Sequence, residues 1–307
     1  MPIEKYTLAL HNQEIHIPAI EKASVRVFIK REDRIHPFVS GNKFRKLKYN
    51  LLEAQKLEQD TLLTFGGAFS NHIAATAYAG FEKGLKTIGV IRGEELESSV
   101  SKNPTLLFAR EHGMEFKFIS RADYRKKDTS AYINILKEEF GTFYLIPEGG
   151  TNTLAVKGCE EILTQDDARF DYICTAVGTG GTISGLINCS QLRQQVLGFP
   201  ALKGDFLKSE IHKFAHKDNW KLIADYHFGG YAKINRDLIN FINLFKGQTD
   251  ISLDPVYTGK MMFGIVDLIQ KGYFDENTSI LAVHTGGLQG IAGMNQYLKQ
   301  KNLPLIK

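Results

Sequence analysis

The sequence predicts an α/β protein of two domains, with mostly parallel twisted sheets flanked by helices. Three observations predict it: short apolar runs recur along the chain, glycine follows most of them, and apolar residues at helical spacing fill the intervals. Such alternation yields parallel strands joined by crossover helices that cover both faces of a sheet. The first run, Val25 to Lys30, closes in the polar turn Arg31-Glu32-Asp33-Arg34. A helix follows, in which Phe44, Leu47, Leu51 and Ala54 form an apolar stripe while Arg45, Lys46, Lys48 and Glu53 fill the other faces. Next come Leu62 to Phe65 into Gly66-Gly67, Thr87 to Ile91 into Arg92-Gly93, and Phe116 to Ile119. Phe143 to Ile146 runs into Pro147-Glu148-Gly149-Gly150, Tyr172 to Val177 into Gly178-Thr179-Gly180-Gly181, and Ile280 to Val283 into His284-Thr285-Gly286-Gly287. No short-period repeat, low-complexity tract or long linker interrupts the pattern.

Composition bounds the function. A length of 307 residues exceeds a usual single domain, and 43 % hydrophobic with 23 % charged residues is ordinary globular usage. A net charge of +4 gives no general reason to expect nucleic acid or a membrane surface, and leaves small anions as ligands. Cys159, Cys174 and Cys189 are widely spaced and read as reduced thiols of a cytoplasmic protein, not as a disulfide frame or zinc site. Met1 to Lys5 lacks the basic start and apolar run of a signal peptide, and no stretch approaches the roughly 20 apolar residues of a membrane span. The nine histidines form no compact cluster, so no metal is expected. Gly-x-Ser-x-Gly and His-Glu-x-x-His are both missing. Arg121 to Lys127 is a short basic run that contains an acid, and reads as a solvated face rather than an RNA contact.

Five Gly-Gly pairs stand at 66–67, 149–150, 180–181, 229–230 and 286–287, and four directly follow an apolar run. In open parallel sheets such turns gather at the carboxyl ends of strands, where ligands bind. The segment Gly178-Thr179-Gly180-Gly181-Thr182 opens a helix, so backbone N–H groups and threonine hydroxyls converge on one anion at its positive end. It reads as a phosphate cup for a mononucleotide-like or PLP-type ligand, with a plain structural turn as the alternative. A P-loop would end in Gly-Lys-Ser/Thr, and a dinucleotide fold would want an acid about 20 positions on, where the chain reads Leu197-Gly198-Phe199-Pro200. Lys43 alone among its cationic neighbours lies in register with Leu47 and Leu51 on the stripe to be buried. Desolvation there would lower its pKa and make it a nucleophile; the alternative is a lysine snorkelling to solvent. Ser70-Asn71-His72 reads both as a helix start and as a cradle for a carboxylate or phenolate oxygen.

Taken in order, these motifs resemble the fold-type II pyridoxal-5′-phosphate (PLP) enzymes, in the branch containing D-cysteine desulfhydrase and 1-aminocyclopropane-1-carboxylate (ACC) deaminase. The resemblance runs from Lys30-Arg31-Glu32-Asp33 to Thr285-Gly286-Gly287. It implies a tryptophan synthase β-like fold, with a large PLP-binding domain (1–48 and 155–307) and a small inserted α/β domain (49–154). PLP would lie in the cleft and the protein would be a homodimer. In Ser40-Gly41-Asn42-Lys43, Lys43 matches the lysine that bonds to the cofactor aldehyde. Asn71 matches the residue facing the ring hydroxyl, and Ser70 and His72 flank it where the substrate carboxylate is received. Gly178, Thr179, Gly180, Gly181 and Thr182 match the phosphate loop, and Thr285 and Gly286 a late turn beside the pyridine ring. Tyr231 and Tyr257 resemble substrate-facing tyrosines.

In Asp254-Pro255-Val256-Tyr257-Thr258-Gly259-Lys260, deaminase-like members carry Glu at the place of Thr258, facing the ring nitrogen. Thr258, with His72 where deaminases tend to have Gln, tilts the resemblance to D-cysteine desulfhydrase, which converts D-cysteine to pyruvate, ammonia and hydrogen sulfide. The alternative is ACC deaminase, which gives 2-oxobutanoate and ammonia. Readings of other classes are a non-catalytic sensor of a phosphorylated ligand and a nicotinamide-dependent oxidoreductase. The chain departs from the pattern at Ala74-Ala75, where Arg-Gln is implied, and at Tyr231-Ala232-Lys233-Ile234-Asn235, where Tyr-Gly-x-Pro-Asn is implied.

Overall fold

Ten strands arise from the described residues, 10–307 of a computed structural model, so the reading of Met1 to Lys5 lies outside them. They are β1 (Asn12–Ile15), β2 (Arg26–Lys30), β3 (Thr61–Gly66), β4 (Lys86–Arg92), β5 (Met114–Ile119), β6 (Tyr144–Ile146), β7 (Tyr172–Val177), β8 (Gln195–Pro200), β9 (Trp220–Leu222) and β10 (Ser279–Val283). Two sheets result, ordered β1-β2-β10-β7-β8-β9 and β5-β4-β3-β6. Only β1 pairs antiparallel, with β2. All seven apolar runs of the sequence are strands. The pattern misses β1 and β9, which are short edge strands, and β8, where Gly198 and a terminal Pro200 break the alternation.

The α-helices longer than one turn are α1 (Asn42–Lys56), α2 (Asn71–Lys83), α3 (Pro104–Glu111), α4 (Ser130–Phe140), α5 (Thr153–Glu160), α6 (Gly181–Cys189), α7 (Phe206–His212), α8 (Arg236–Thr249), α9 (Thr258–Gln270) and α10 (Gly290–Gln300). The period of two along each strand divides the core. Val27, Ile29, Ala176, Leu197, Phe199, Ile280 and Ala282 face α8, α9 and α10, while Phe28, Ile173, Val177, Val196, Leu281 and Val283 face α6 and α7. In the smaller sheet, Leu63, Phe65, Ile88 and Val90 pack with Leu136 of α4, and Ile91 packs with α2 and α3 on the other face. Among the described residues no helix is long and apolar enough to cross a membrane.

The helix α1 corrects the sequence reading. Its apolar stripe is buried through Leu47 and Ala54 against Ala75 and Ala79 of α2, but Arg45, Lys46 and Asn50 are buried as deeply. Both faces are covered because α1 wedges between the two sheets, and each buried polar group on the second face has a partner. Arg45 makes a bidentate pair with Glu32, at 2.9 and 3.0 Å. Asn50 accepts from Asn152 at 2.7 Å. The backbones come very close there: a Cβ on Gly158 of α5 would lie 1.9 Å from the Arg45 carbonyl oxygen, and one on Gly185 of α6 would lie 2.5 Å from Cys159 Cβ. The expected divisions at 48/49 and 154/155 therefore fall inside α1 and α5, the helices through which the chain leaves one sheet for the other and returns.

Gly158→Ala is expected to lower stability by about 1–3 kcal/mol, since the added methyl must force the two helices apart. Gly247→Ala, on α8 with nothing within 4 Å of the new Cβ, is expected to raise it by about 0.4–1 kcal/mol. Shifts of the urea midpoint at unchanged slope check both.

Candidate active site

The turns that follow β3, β6, β7 and β10 converge on one cavity between the sheets, at the carboxyl ends of the strands. Its lining brings together Lys43, Asn71, Gly178, Thr179, Gly180, Thr182, Tyr257, Thr285 and Gly286 of the residues expected from the sequence. Ser70, His72, Gly181, Tyr231 and Thr258 lie outside that lining.

Lys43 stands in the first turn of α1. The chain enters this turn through Gly41, at φ 61, where a Cβ would meet the Thr285 carbonyl oxygen at 1.9 Å. Only glycine permits this approach, which seats the start of α1 against the Thr285-Gly286 turn. Lys43 is half-buried, with Nζ 3.5 Å from the Gly149 carbonyl oxygen. Loss of hydration, helped by the charge on Lys46, pushes its amine down to about 7.

Lys46 is the functional candidate that the sequence reading missed. It is only 2 % exposed, and its Nζ donates to Gly149 O at 3.0 Å, Thr151 Oγ1 at 2.9 Å and Thr179 Oγ1 at 3.4 Å. Burial lowers its amine to about 8. The available signal is its spacing of three from Lys43, which puts both on one helix face.

Both lysines face the loop after β7. Gly180, at φ 87, turns the chain into α6, whose first N–H groups have no intrahelical partner. A Cβ on Gly181 would lie 3.2 Å from Lys46 Nζ and 2.9 Å from Thr151 Oγ1, so any side chain there would fill the cradle. Thr182 Oγ1 accepts from Asn42 Nδ2 at 2.8 Å, and the Thr179 and Thr151 hydroxyls are 2.5 Å apart. No acid belongs to the cavity lining. Two desolvated amines, free N–H groups and hydroxyls fit an aldehyde that carries a phosphate.

On the opposite wall, Ser70 caps α2, its Oγ accepting the N–H of His72 and Ile73 at 3.3 and 3.4 Å. Asn71 faces the late turn, its Nδ2 2.5 Å from where a Cβ on Gly287 would stand. The His72 side chain is turned away into the protein. Thr64 gives its proton to Ile146 O at 2.8 Å, so it accepts from His72 Nε2–H at 2.8 Å. Nδ1 is then a bare acceptor, and burial with the charges of Lys43 and Lys46 holds the pKa well below the usual histidine range. The imidazole thus has no proton to offer a substrate carboxylate from Nδ1.

Tyr257 packs over Gly178, whose Cβ would lie 3.2 Å from the ring. Its ring centroid is 6.3 Å from that of Tyr231. Burial raises both hydroxyls, Tyr257 the more, so both stay protonated through the neutral range. Behind Tyr257, the Thr258 hydroxyl donates to Asp254 Oδ2 at 2.7 Å and accepts the Asp254 N–H at 2.9 Å. Asp254 also accepts the N–H groups of Val256, Tyr257 and Thr258, capping α9. Burial pushes its carboxyl pKa up, and those bonds oppose the rise.

Comparison with known proteins agrees with this chemistry. The family described as pyridoxal-phosphate dependent enzymes matches residues 12–286. The chain is 34 % identical to a putative 1-aminocyclopropane-1-carboxylate deaminase of Pyrococcus horikoshii, over 86 % of this chain and 85 % of that protein. It is 32 % identical to the mitochondrial bifunctional D-cysteine desulfhydrase/1-aminocyclopropane-1-carboxylate deaminase of Arabidopsis thaliana, over 95 % and 80 % of the two chains. A crystal structure of an ACC deaminase homologue superposes with a TM-score of 0.83 at 30 % identity, covering 95 % of this chain and 93 % of that one. The chain therefore belongs to the fold-type II PLP-dependent enzymes, in the D-cysteine desulfhydrase/ACC deaminase family.

Proposed function

We propose that this enzyme deaminates a small amino acid, with Lys43 as the residue that bonds to PLP. The observation that carries the reading is the meeting of Lys43 and Lys46 with the glycine-lined start of α6 in one acid-free cavity. PLP, when bound, withdraws electrons from the substrate's α-carbon and so makes bonds there breakable. Lys43 Nζ, with its amine lowered to about 7 and so available in the neutral form at neutral pH, would serve as the nucleophile and, once released, as the base. It would take the α-proton of D-cysteine, or a ring CH2 proton of ACC, whose α-carbon carries no hydrogen. Lys46, the first N–H groups of α6 and the hydroxyls of Thr179 and Thr182 would hold the phosphate. Asn71 would face the ring hydroxyl, and Ser70 Oγ, which accepts two N–H groups but keeps its own proton, would donate to the substrate carboxylate. Tyr257 and Tyr231, both protonated, would be donors on the substrate side.

Between the two substrates, the Asp254–Thr258 pair favours ACC. The Thr258 hydroxyl is committed as a donor to Asp254, so toward the cofactor it would offer only a lone pair, with a buried carboxylate behind it. Such a pair supports a protonated ring nitrogen, much as the Glu of deaminase-like members does, and opening a cyclopropane calls for that stronger electron withdrawal. The name carried by the Pyrococcus horikoshii relative points the same way, while that of the Arabidopsis thaliana relative carries both activities. D-cysteine is the second reading, favoured by Thr258 and His72 standing where Glu and Gln are implied.

The purified enzyme is expected to show the visible band of lysine-bound cofactor, and Lys43→Ala to lose it. In the cofactor-free protein, Lys43 should react with amine reagents increasingly as pH rises through about 7, because only the neutral amine attacks. A rate profile centred near 10 would count against the assignment. Lys46→Met should weaken PLP binding about 10- to 100-fold, the worth of one charged hydrogen-bonding partner, as read by cofactor titration. Turnover of ACC and D-cysteine by wild type and Thr258→Glu decides the substrate argument: a shift toward ACC in the variant is expected, and an unchanged ratio would remove position 258 from it.

A further inference from the structure

We propose that Lys260 is a positioning residue, which ties the loop carrying Tyr231 to the helix that carries Tyr257 and so sets the enzyme's grip on its substrate. Lys260 lies in the first turn of α9, three residues after Tyr257, and is 1 % exposed. Its Nζ donates to His227 O at 2.9 Å and Gly230 O at 2.8 Å. Those carbonyls already accept the N–H groups of Gly230 and Lys233, so the ammonium takes their remaining lone pairs. Burial lowers its amine to about 8, with the Asp254 carboxylate opposing, so it is mostly charged at neutral pH.

A buried ammonium that touches no acid directly is a costly way to stabilise a fold, and an apolar side chain would serve better. What Lys260 secures is a strained loop. Phe228 (φ 54), Gly229 (φ 94), Gly230 (φ 119) and Ala232 (φ 55) all have left-handed or related backbone, and two of them are not glycine. The family resemblance implies Gly at 232 and Pro at 234, where this chain has Ala232 and Ile234. The loop therefore carries more strain and has lost a stiffening proline, which makes its outside tether matter more. Tyr231 follows Gly230 directly, is 42 % exposed, and meets Tyr257 edge to face. A closed circuit results: α9 holds Tyr257, Lys260 holds the loop, and the loop brings Tyr231 back to Tyr257.

This role rests on the reading of Tyr231 as a substrate-facing donor, and the test separates the two. In the holoenzyme, Lys260→Met should raise KM about tenfold with a smaller change in kcat, and leave the cofactor band unchanged. In a Tyr231→Phe background the same change should add little, because both substitutions act through one hydroxyl. Amide exchange over residues 227–233 should quicken about tenfold or more in Lys260→Met, a readout independent of any substrate. Lys260→Gln, whose amide can still reach a carbonyl, should lie between wild type and Met, and serves if Met folds poorly. Unchanged exchange, or KM effects that simply add in the double variant, would overturn the proposal. A wild type that lacks the cofactor band or turns over no amino acid would instead sink the functional reading, with loop exchange still deciding whether the tether exists.

Discussion

The close stacking of α1, α5 and α6 is the constraint on which the site depends. Gly158 lets α5 reach the backbone of α1 at Arg45, and Gly185 lets α6 reach α5 at Cys159. These contacts set the distance between the lysines on α1 and the anion cradle at the start of α6. A methyl group at either glycine would push the nucleophile and the cradle apart, and displacements of this size cost catalysis heavily. The same stack carries the chain between its two sheets, so the joint of the fold and the floor of the active site are one structure.

The electrostatics of this floor are one-sided. The nearby acids are spent: Glu32 is paired with Arg45, Asp167 with Lys30, and Glu161 with Lys48. Lys43 and Lys46 are left facing carbonyls and hydroxyls, in a cavity with no acid of its own. Cys159, beneath them, is pushed up to about 11 by burial and stays a neutral thiol. Two cations so arranged repel one another and are poorly hydrated, which lowers the cost of neutralising one and makes a bound phosphate welcome to the other. One helix face thus supplies two amines of which Lys43, lowered to about 7, loses its proton more readily than Lys46, lowered to about 8.

The region around Asp254 plays the matching part on the substrate side. One buried carboxylate caps α9, accepts the hydrogen bond of the Thr258 hydroxyl and lies close enough to Lys260 to favour its charge. Tyr257, Thr258 and Lys260 follow one another on that helix start, so wall, polar backing and tether are set by a single cap. Asp254 is recognisable in the sequence only as a turn residue before Tyr257. Its bonds give it that wider reach.

What the sequence by itself determined is what local chemistry can carry. The apolar runs Tyr172 to Val177 and Ile280 to Val283, the glycines after them, and the cap at Ser70 act within a few residues, and each stands as read. Lys43 was legible because it shares a helix stripe with Leu47. Tertiary structure decided the rest. Lys46 looked like a surface cation until Gly149, 103 positions away, supplied its acceptor. His72 looked like a substrate ligand until Thr64, committed to Ile146, fixed which nitrogen holds the proton. The direction of the Thr258 hydroxyl was set by Asp254, which accepts its hydrogen bond, and α1 buried a polar face because a second helix covers it. In each case hydrogen-bond direction and desolvation depend on a partner that the local pattern does not name.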